Sequence, residues 1–208
     1  MKTPQGGGAA LPAPVSEQEP QPSGPGKRGL EGRRFGVRLA TAADRAEIEA
    51  LMQRSIRQLQ EPFLKPAQID ASFDIMGLDD QLIEDRTYYV VEDEGLIAGC
   101  GGWSRRATLY GGSHSPGRDE ALLDPAVDAA RIRAMYTHPD HVRRGVGRLI
   151  LEVCEDAARR QGFRRAELVA TLAGLPLYRA CGYHVVKEAL VETRSGVGIP
   201  GCQMTKAL

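Results

Sequence analysis

The sequence lacks the features that would direct it to nucleic acid or to a membrane. Its 208 residues carry 27 basic and 27 acidic side chains, and this zero net charge gives no overall attraction to either polyanion. No run of about eighteen apolar residues is present, so no membrane span is predicted. The N-terminus also lacks the charged-then-apolar pattern of a secretion signal. We therefore expect a cytoplasmic protein that binds neither nucleic acid nor a membrane.

Cysteine and histidine are too sparse to suggest a disulfide framework or a metal centre. The four cysteines are scattered without a C-x-x-C pair, which is typical of reduced, packed thiols. His138 and His141 are close in sequence, but Pro139 lies between them and no carboxylate or thiolate cluster follows. Because zinc sites need three or four ligands, we predict no metal.

The first 34 residues differ in composition from the rest. They contain no aromatic residue and are rich in Pro, Gly, Gln and Ser. Such a segment cannot bury enough apolar surface to offset the roughly 1–2 kcal/mol of backbone entropy lost per ordered residue. We predict a disordered tail over 1–34 and one domain over 35–208.

The most informative segment runs from 131 to 162. An apolar-rich strand leads into the turn R-R-G-V-G-R (143–148), which opens directly onto an amphipathic helix. The two glycines of this turn let backbone amides approach an anion, and the helix start adds a partial positive charge. Its three arginines add full charges at the same place. The turn therefore predicts a pyrophosphate-binding loop, although an ordinary strand-to-helix connection would also tolerate this composition.

Two common phosphate loops do not match this turn. A nucleotide P-loop needs Gly-Lys followed by Ser or Thr, whereas Arg148 follows Gly147 and no hydroxyl residue comes next. A dinucleotide fingerprint needs G-x-G-x-x-G, and the next glycine after Gly147 is Gly162. Neither an ATP site nor an NAD site is predicted.

The strand, the turn and the helix resemble the acyl-CoA loop of the GCN5-related N-acetyltransferase (GNAT) family. That family's consensus begins with Arg or Gln, and here Val142 stands at this leading position. A second segment, L-P-L-Y-R-A-C-G-Y (175–183), resembles the family's A-x-x-F-Y-x-x-x-G-F ending. The resemblance covers about 35–208, with its specific part in roughly the last eighty residues.

The resemblance implies a mixed α/β fold, with a mixed, mostly antiparallel sheet and helices on both faces. The residue patterns agree with that order of elements. Strand, helix and strand around the turn predict a right-handed parallel unit. Earlier in the chain we predict a strand, a helix ended by Pro62, a second helical region interrupted at Gly77, and a hairpin turning at 93–95.

The implied activity is transfer of an acetyl group from acetyl-CoA to a primary amine, by direct attack in a ternary complex. Tyr178 matches the family's usual general acid, which would protonate the leaving thiolate. A backbone amide near the end of the strand before the turn would stabilise the oxyanion. The residues expected to hold acetyl-CoA are Met135, Tyr136, Thr137, Arg143, Arg144, Gly145, Val146, Gly147 and Arg148.

The sequence does not decide which residues contact the acceptor or which residue is the general base. The loop 107–130 borders it in the family picture, and the candidates there for acceptor contacts are His114, Arg118, Asp119 and Glu120. The candidates for the general base are Glu167, His138, His114 and Asp74, with a water relay as the alternative. Neither set nor the acceptor itself is decided at this stage.

Two further questions concern activity and assembly. A non-catalytic acyl-CoA-binding regulatory module on the same fold is the alternative to an enzyme, because Val142 departs from the consensus and no base is assigned. The presence of Tyr178 favours the enzyme. Many relatives pair through their last strands, so residues 197–204 are the candidate contact for a homodimer.

Overall fold

A seven-stranded sheet organises the part of the chain that the structure describes. The computed structural model describes Met1 and residues 35–208, so the predicted disordered tail over 1–34 lies outside the described residues. The strands are β1 (Phe35–Leu39), β2 (Tyr88–Asp93), β3 (Leu96–Ser104), β4 (Ala130–Thr137), β5 (Arg165–Thr171), β6 (His184–Glu192) and β7 (Gly198–Ala207). Their order across the sheet is β1-β2-β3-β4-β5-β7-β6. The β4–β5 pair is parallel and the other neighbours are antiparallel, which confirms the predicted mixed sheet.

Helices cover both faces of this sheet, as predicted. They are α1 (Arg45–Gln60), α2 (Pro66–Ser72), α3 (Asp80–Glu84), α4 (Val146–Arg160) and α5 (Leu175–Ala180). Ile48 of α1 packs in one core cluster with Val90, whereas Ile150 of α4 packs in another with Val91. Because successive strand residues point to opposite faces, α1 and α4 lie on opposite sides of the sheet. No helix within residues 35–208 is both long and apolar enough to cross a membrane.

The region before the hairpin contains the predicted break at Gly77. The second helical region is divided into α2 and α3, and Gly77 lies in the segment between them. The hairpin itself turns at Glu94 and Gly95, both with positive φ, as the sequence predicted. The long connection between β3 and β4 forms neither a helix nor a strand, and a single bridge joins Arg106 to Leu122 across it.

The start of α4 lies close against β3 because β3 offers glycine at the contact. A Cβ on Gly99 would lie 2.4 Å from Val146 Cγ1, and one on Gly101 would lie 2.7 Å from Ile150 Cγ2. Both contacts are too short for real atoms, so larger residues at these positions would force the helix outward. The glycines thereby fix the position of the turn 143–148 relative to the sheet.

The two parallel strands separate soon after they begin. Ala130 pairs with Ala166 and Arg131 with Glu167, and the pairing ends there, whereas β5 pairs with β7 over its whole length on its other side. The carboxyl-terminal half of β4 therefore has no strand partner toward β5. A V-shaped gap opens between the two strands in the middle of the sheet.

Candidate active site

A cavity of about 710 Å³ passes through the sheet at this gap. Its walls within the sheet are residues 132–137 of β4 and 169–171 of β5. What we call the α4 arm is lined by residues 141–143, 145–148, 173–174, 176–178 and 180. What we call the α1 arm is lined by residues 55–56, 59–60, 63, 75–77, 109–111, 191 and 199–201. Since α1 and α4 lie on opposite faces, the cavity opens toward both.

The α4 arm begins with the turn 143–148, which the sequence predicts to bind an anion. Gly145 caps α4 with a φ of +91°, a left-handed conformation that suits glycine. A Cβ on Gly147 would lie 2.8 Å from Leu177 Cδ2, so the absent side chain keeps this part of the arm open. The first turn of α4 contains no acidic residue, and its free N–H groups carry the positive end of the helix dipole. This geometry is that of a phosphate site.

The three arginines of the turn have different roles. Arg143 and Arg148 line the cavity, but Arg144 does not. The Arg144 guanidinium lies 2.8 Å from Asp93 Oδ2 and stacks 5.3 Å from the centre of the Phe35 ring. It therefore ties the turn to β1 and β2, and only its backbone remains near the expected anion site.

Tyr178 lies in the wall of the α4 arm, where the sequence placed the general acid. Its side chain belongs to a residue that is only 7% exposed, and its ring packs edge-on against Tyr183 with centroids 5.9 Å apart. Loss of solvation raises the pKa of the Tyr178 hydroxyl well above its ordinary value, and nearby Cys154 and Cys181 add to the rise. The hydroxyl is therefore protonated at neutral pH and can donate a proton.

The end of β4 presents backbone groups to the cavity. Between the pairs Cys100–Tyr136 and Gly102–Arg133, one residue of β3 opposes Ala134 and Met135 together, which is a β-bulge. Ala134 has a φ of +50°, and its carbonyl accepts a 2.8 Å hydrogen bond from the Tyr88 hydroxyl. Met135, Tyr136 and Thr137 all line the cavity. The bulge and the missing β5 partner leave backbone groups here free to meet a ligand.

The α1 arm is mostly apolar. Its apolar side chains from α1 and the segments that follow include Ile56, Leu59, Phe63, Ile75, Met76 and Leu109. Phe63 is 47% exposed and Tyr110 is 45% exposed, so these two rings stand where the arm opens to solvent. Ser55, Gln60 and the Tyr110 hydroxyl are its polar groups, and Gln60 Nε2 donates toward Met76 Sδ at 3.2 Å. Among the described residues, no Asp, Glu or Lys lines either arm.

A buried ion cluster supports the arm where β4 meets it. Arg133 lines the cavity, yet its side chain is only 2% exposed and lies 2.6 Å from the fully buried Asp79 carboxylate. Arg118 approaches the same carboxylate at 3.0 Å, and Arg133 also donates to the Gly111 carbonyl. Burial lowers the pKa of Arg133, and the charge of Asp79 opposes that fall. The cluster holds two cations around one anion and joins β4 to the loop after β3.

The candidate general bases lie outside the cavity lining. They are Glu167, His138, His114 and Asp74. Glu167 is engaged in an ion pair with Arg131 on the neighbouring strand, and His114 Nε2 lies 2.9 Å from the Phe73 carbonyl. A protein base is therefore not assigned, and the water relay is the alternative that remains.

The acceptor contacts expected from the loop 107–130 also lie outside the lining. His114, Arg118, Asp119 and Glu120 do not line the cavity, whereas Leu109, Tyr110 and Gly111 of the same loop do. The apolar run A-T-L-Y before the charged residues was the available signal.

His138 and His141 make contacts that support the turn 143–148. The rings of His138 and His141 lie 5.5 Å apart, and His141 Nε2 lies 3.2 Å from Asp93 Oδ2. Asp140 N donates to His138 Nδ1 at 3.2 Å. Within the part of the chain that the structure describes, no group of three or more His, Cys, Asp or Glu side chains could hold a metal ion.

Comparison with known proteins identifies the fold. A GCN5-related N-acetyltransferase from Rhodopseudomonas palustris superposes with a TM-score of 0.64 at 21% identity, over 85% of this chain and 97% of that one. The protein yncA from Salmonella typhimurium, solved with its cofactor acetyl-CoA, gives 0.56 at 19% identity, over 85% and 95%. A Thermoplasma acidophilum N-acetyltransferase, paia, solved with coenzyme A, gives 0.54 at 11% identity, over 84% and 99%.

At these identities the likenesses show a shared fold, and no curated protein sequence matches the chain. The model of the Acetyltransferase (GNAT) family matches residues 48–183, which is more than half of the chain. The chain therefore belongs to this acetyltransferase family and is an acyltransferase, as its sequence predicted.

Proposed function

We propose that the protein transfers the acetyl group of acetyl-CoA to a primary amine of a small molecule or protein, by direct attack in a ternary complex. The observation that carries this proposal is the cavity through the sheet. A donor held from the α4 arm and an acceptor held from the α1 arm would meet at the gap between β4 and β5. Direct attack needs both partners at one place at the same time.

Donor binding would use the turn 143–148 and the end of β4. The pyrophosphate of CoA would accept hydrogen bonds from the first amides of α4, and Arg143 and Arg148 would add charge. The thioester carbonyl would then lie toward the backbone of 135–137, where the bulge leaves groups unpaired. An N–H group in that position would stabilise the oxyanion as it forms. The similarity to folds solved with CoA and acetyl-CoA supports this arrangement.

The chemical step has a simple balance. The amine nitrogen forms a bond to the thioester carbon, and the electron pair of the C–S bond leaves with sulfur. The Tyr178 hydroxyl gives its proton to that thiolate and recovers one from solvent. The new amide nitrogen loses its extra proton to water, since none of the four candidate bases lines the cavity.

The first test follows thiol release with acetyl-CoA and an amine panel, together with thermal unfolding in the presence of acetyl-CoA. Tyr178→Phe is expected to lower kcat by about 10² or more, the usual contribution of a general acid, and to keep the acetyl-CoA-dependent rise in Tm. Tyr183→Phe is the matched control, because it removes a neighbouring buried hydroxyl that does not line the cavity.

Three results would contradict the proposal. An unchanged kcat in Tyr178→Phe would show that the tyrosine takes no part in the chemical step. Stabilisation by acetyl-CoA without thiol release for any amine would favour the non-catalytic acyl-CoA-binding module. An unchanged Tm with acetyl-CoA would show that the protein does not bind the donor.

A further inference from the structure

We infer that the acceptor is a small primary monoamine with an apolar body and no second charge. This inference rests on the proposed function and deepens it. It starts from the chemistry of the α1 arm, whose walls are supplied by Ile56, Leu59, Ile75 and Met76 and whose opening carries Phe63. A body that fills this arm gains by leaving water, and a charged body does not.

The charges around the arm exclude a second ammonium group. A diamine or a lysine-rich peptide would place a second cation in the arm or at its opening, and within the described residues no carboxylate lines the cavity to meet it. The nearest buried carboxylate, Asp79, is already shared by Arg133 and Arg118. That cluster carries one net positive charge and would repel another cation.

The same cluster does not supply a site for a carboxylate on the acceptor. The Arg133 side chain is 2% exposed, and its guanidinium is engaged by Asp79 and by the Gly111 carbonyl. An acidic acceptor would have to displace both partners before it could bind there. The arm therefore favours a body without charge of either sign.

The opening of the arm favours a ring or an alkyl chain. Phe63 and Tyr110 are each nearly half exposed, and large apolar side chains at the edge of a concave site commonly contact a ligand. Both line the same cavity, so an apolar body that leaves the arm would contact them rather than water. This is the part of the molecule that would tell one apolar amine from another.

A panel of three amines of equal length tests the inference. Hexylamine, 1,5-diaminopentane and 6-aminohexanoate each carry a reacting amine on the same pentamethylene chain, and they differ only at the far end: a methyl group, an ammonium and a carboxylate. Hexylamine is expected to show a kcat/KM at least about tenfold above each of the other two, since a buried unpaired charge is strongly rejected. In the presence of CoA, hexylamine should also raise Tm, and the diamine should not.

A charge introduced into the arm should reverse this preference. Leu59 is half-buried on α1 and lines the arm, so Leu59→Glu adds a carboxylate without replacing a fully buried side chain. Leu59→Gln is the matched control with the same shape and no charge. The ratio of diamine to hexylamine kcat/KM is expected to be at least about tenfold higher in the Glu variant than in the Gln variant.

The outcomes separate the two proposals. Equal or better use of the diamine by the unchanged protein, or equal ratios in the two Leu59 variants, would overturn the inference and leave the transferase intact. Preferential transfer to a lysine peptide would overturn it in favour of a protein acceptor. Transfer to none of the amines, with acetyl-CoA still raising Tm, would overturn the proposed function and the inference with it.

Discussion

The two arms of the cavity use arginine in opposite ways. In the α4 arm, Arg143 and Arg148 face the cavity, and within the described part of the chain neither has a carboxylate partner. Where β4 meets the α1 arm, Arg133 also lines the cavity, but Asp79 holds it. A cation attracts an anionic ligand only when no protein carboxylate already neutralises it. We therefore predict that the first arm binds phosphate, whereas the charge beside the second arm holds the cavity wall together.

The largest expected effect is a loss of stability when Arg133 loses its carboxylate partner, Asp79. Asp79→Asn leaves Arg133 buried without its partner, and breaking a buried pair in this way costs about 3–5 kcal/mol of unfolding free energy. Asp70→Asn is the control, because Asp70 and Arg57 are 73% and 61% exposed and 3.6 Å apart, and such pairs contribute little. Chemical denaturation measures both. Equal losses would show that Asp79 does not hold the α1 arm.

The second effect is a pH dependence that belongs to the acceptor. If water rather than a side chain takes the proton, the amine reacts as its free base, whose fraction rises about tenfold per pH unit below the amine's own pKa. The raised pKa of Tyr178 keeps the acid protonated over the same range. We expect log kcat/KM to rise with a slope near one and to level off at the pKa of each amine. A break near pH 6–7 that is the same for all amines would reveal a protein base instead.

The smallest expected effect is a difference in CoA affinity between variants of two arginines of the turn, Arg148 and Arg144. Arg148→Ala removes from the α4 arm a charge that pairs with no carboxylate of residues 35–208, and it is expected to raise the Kd of CoA about tenfold, or about 1.4 kcal/mol. Arg144→Ala is expected to leave Kd within about twofold and to lower Tm by a few degrees, because it removes the partner of Asp93. Calorimetric titration and thermal unfolding distinguish them. Equal weakening of CoA binding by both would end the distinction between the two residues.

The α4 arm could be predicted from the sequence because it is local. The turn 143–148, the apolar stripe of α4 and Tyr178 lie within fifty residues of each other, and each depends on short-range rules of helices, caps and turns. The same rules predicted the hairpin at Glu94 and Gly95. The roles of Arg143, Arg148 and Tyr178 toward a ligand stay predictions.

The α1 arm could not be predicted because it has no local signature. Its residues come from α1, from the link between α2 and α3, from the loop after β3 and from β7. The partner of Arg133 is Asp79, which lies more than fifty positions earlier in an unremarkable helix start. The contact of Arg144 with Asp93 joins residues that lie about as far apart in the sequence. Such pairs are decided by the folded chain and leave no spacing to detect.

The V-shaped gap has a consequence for turnover. In the proposed ternary complex, a cavity lined from both faces of the sheet would let spent CoA leave from the α4 arm while the acetylated product still occupied the α1 arm. Neither substrate then has to precede its partner, and initial-rate plots for the pair should intersect rather than run parallel. A conjugate that joins the sulfur of CoA to an alkylamine would occupy both arms of the cavity at once. Because its two parts are linked, its affinity is expected to exceed that of CoA or of the amine alone.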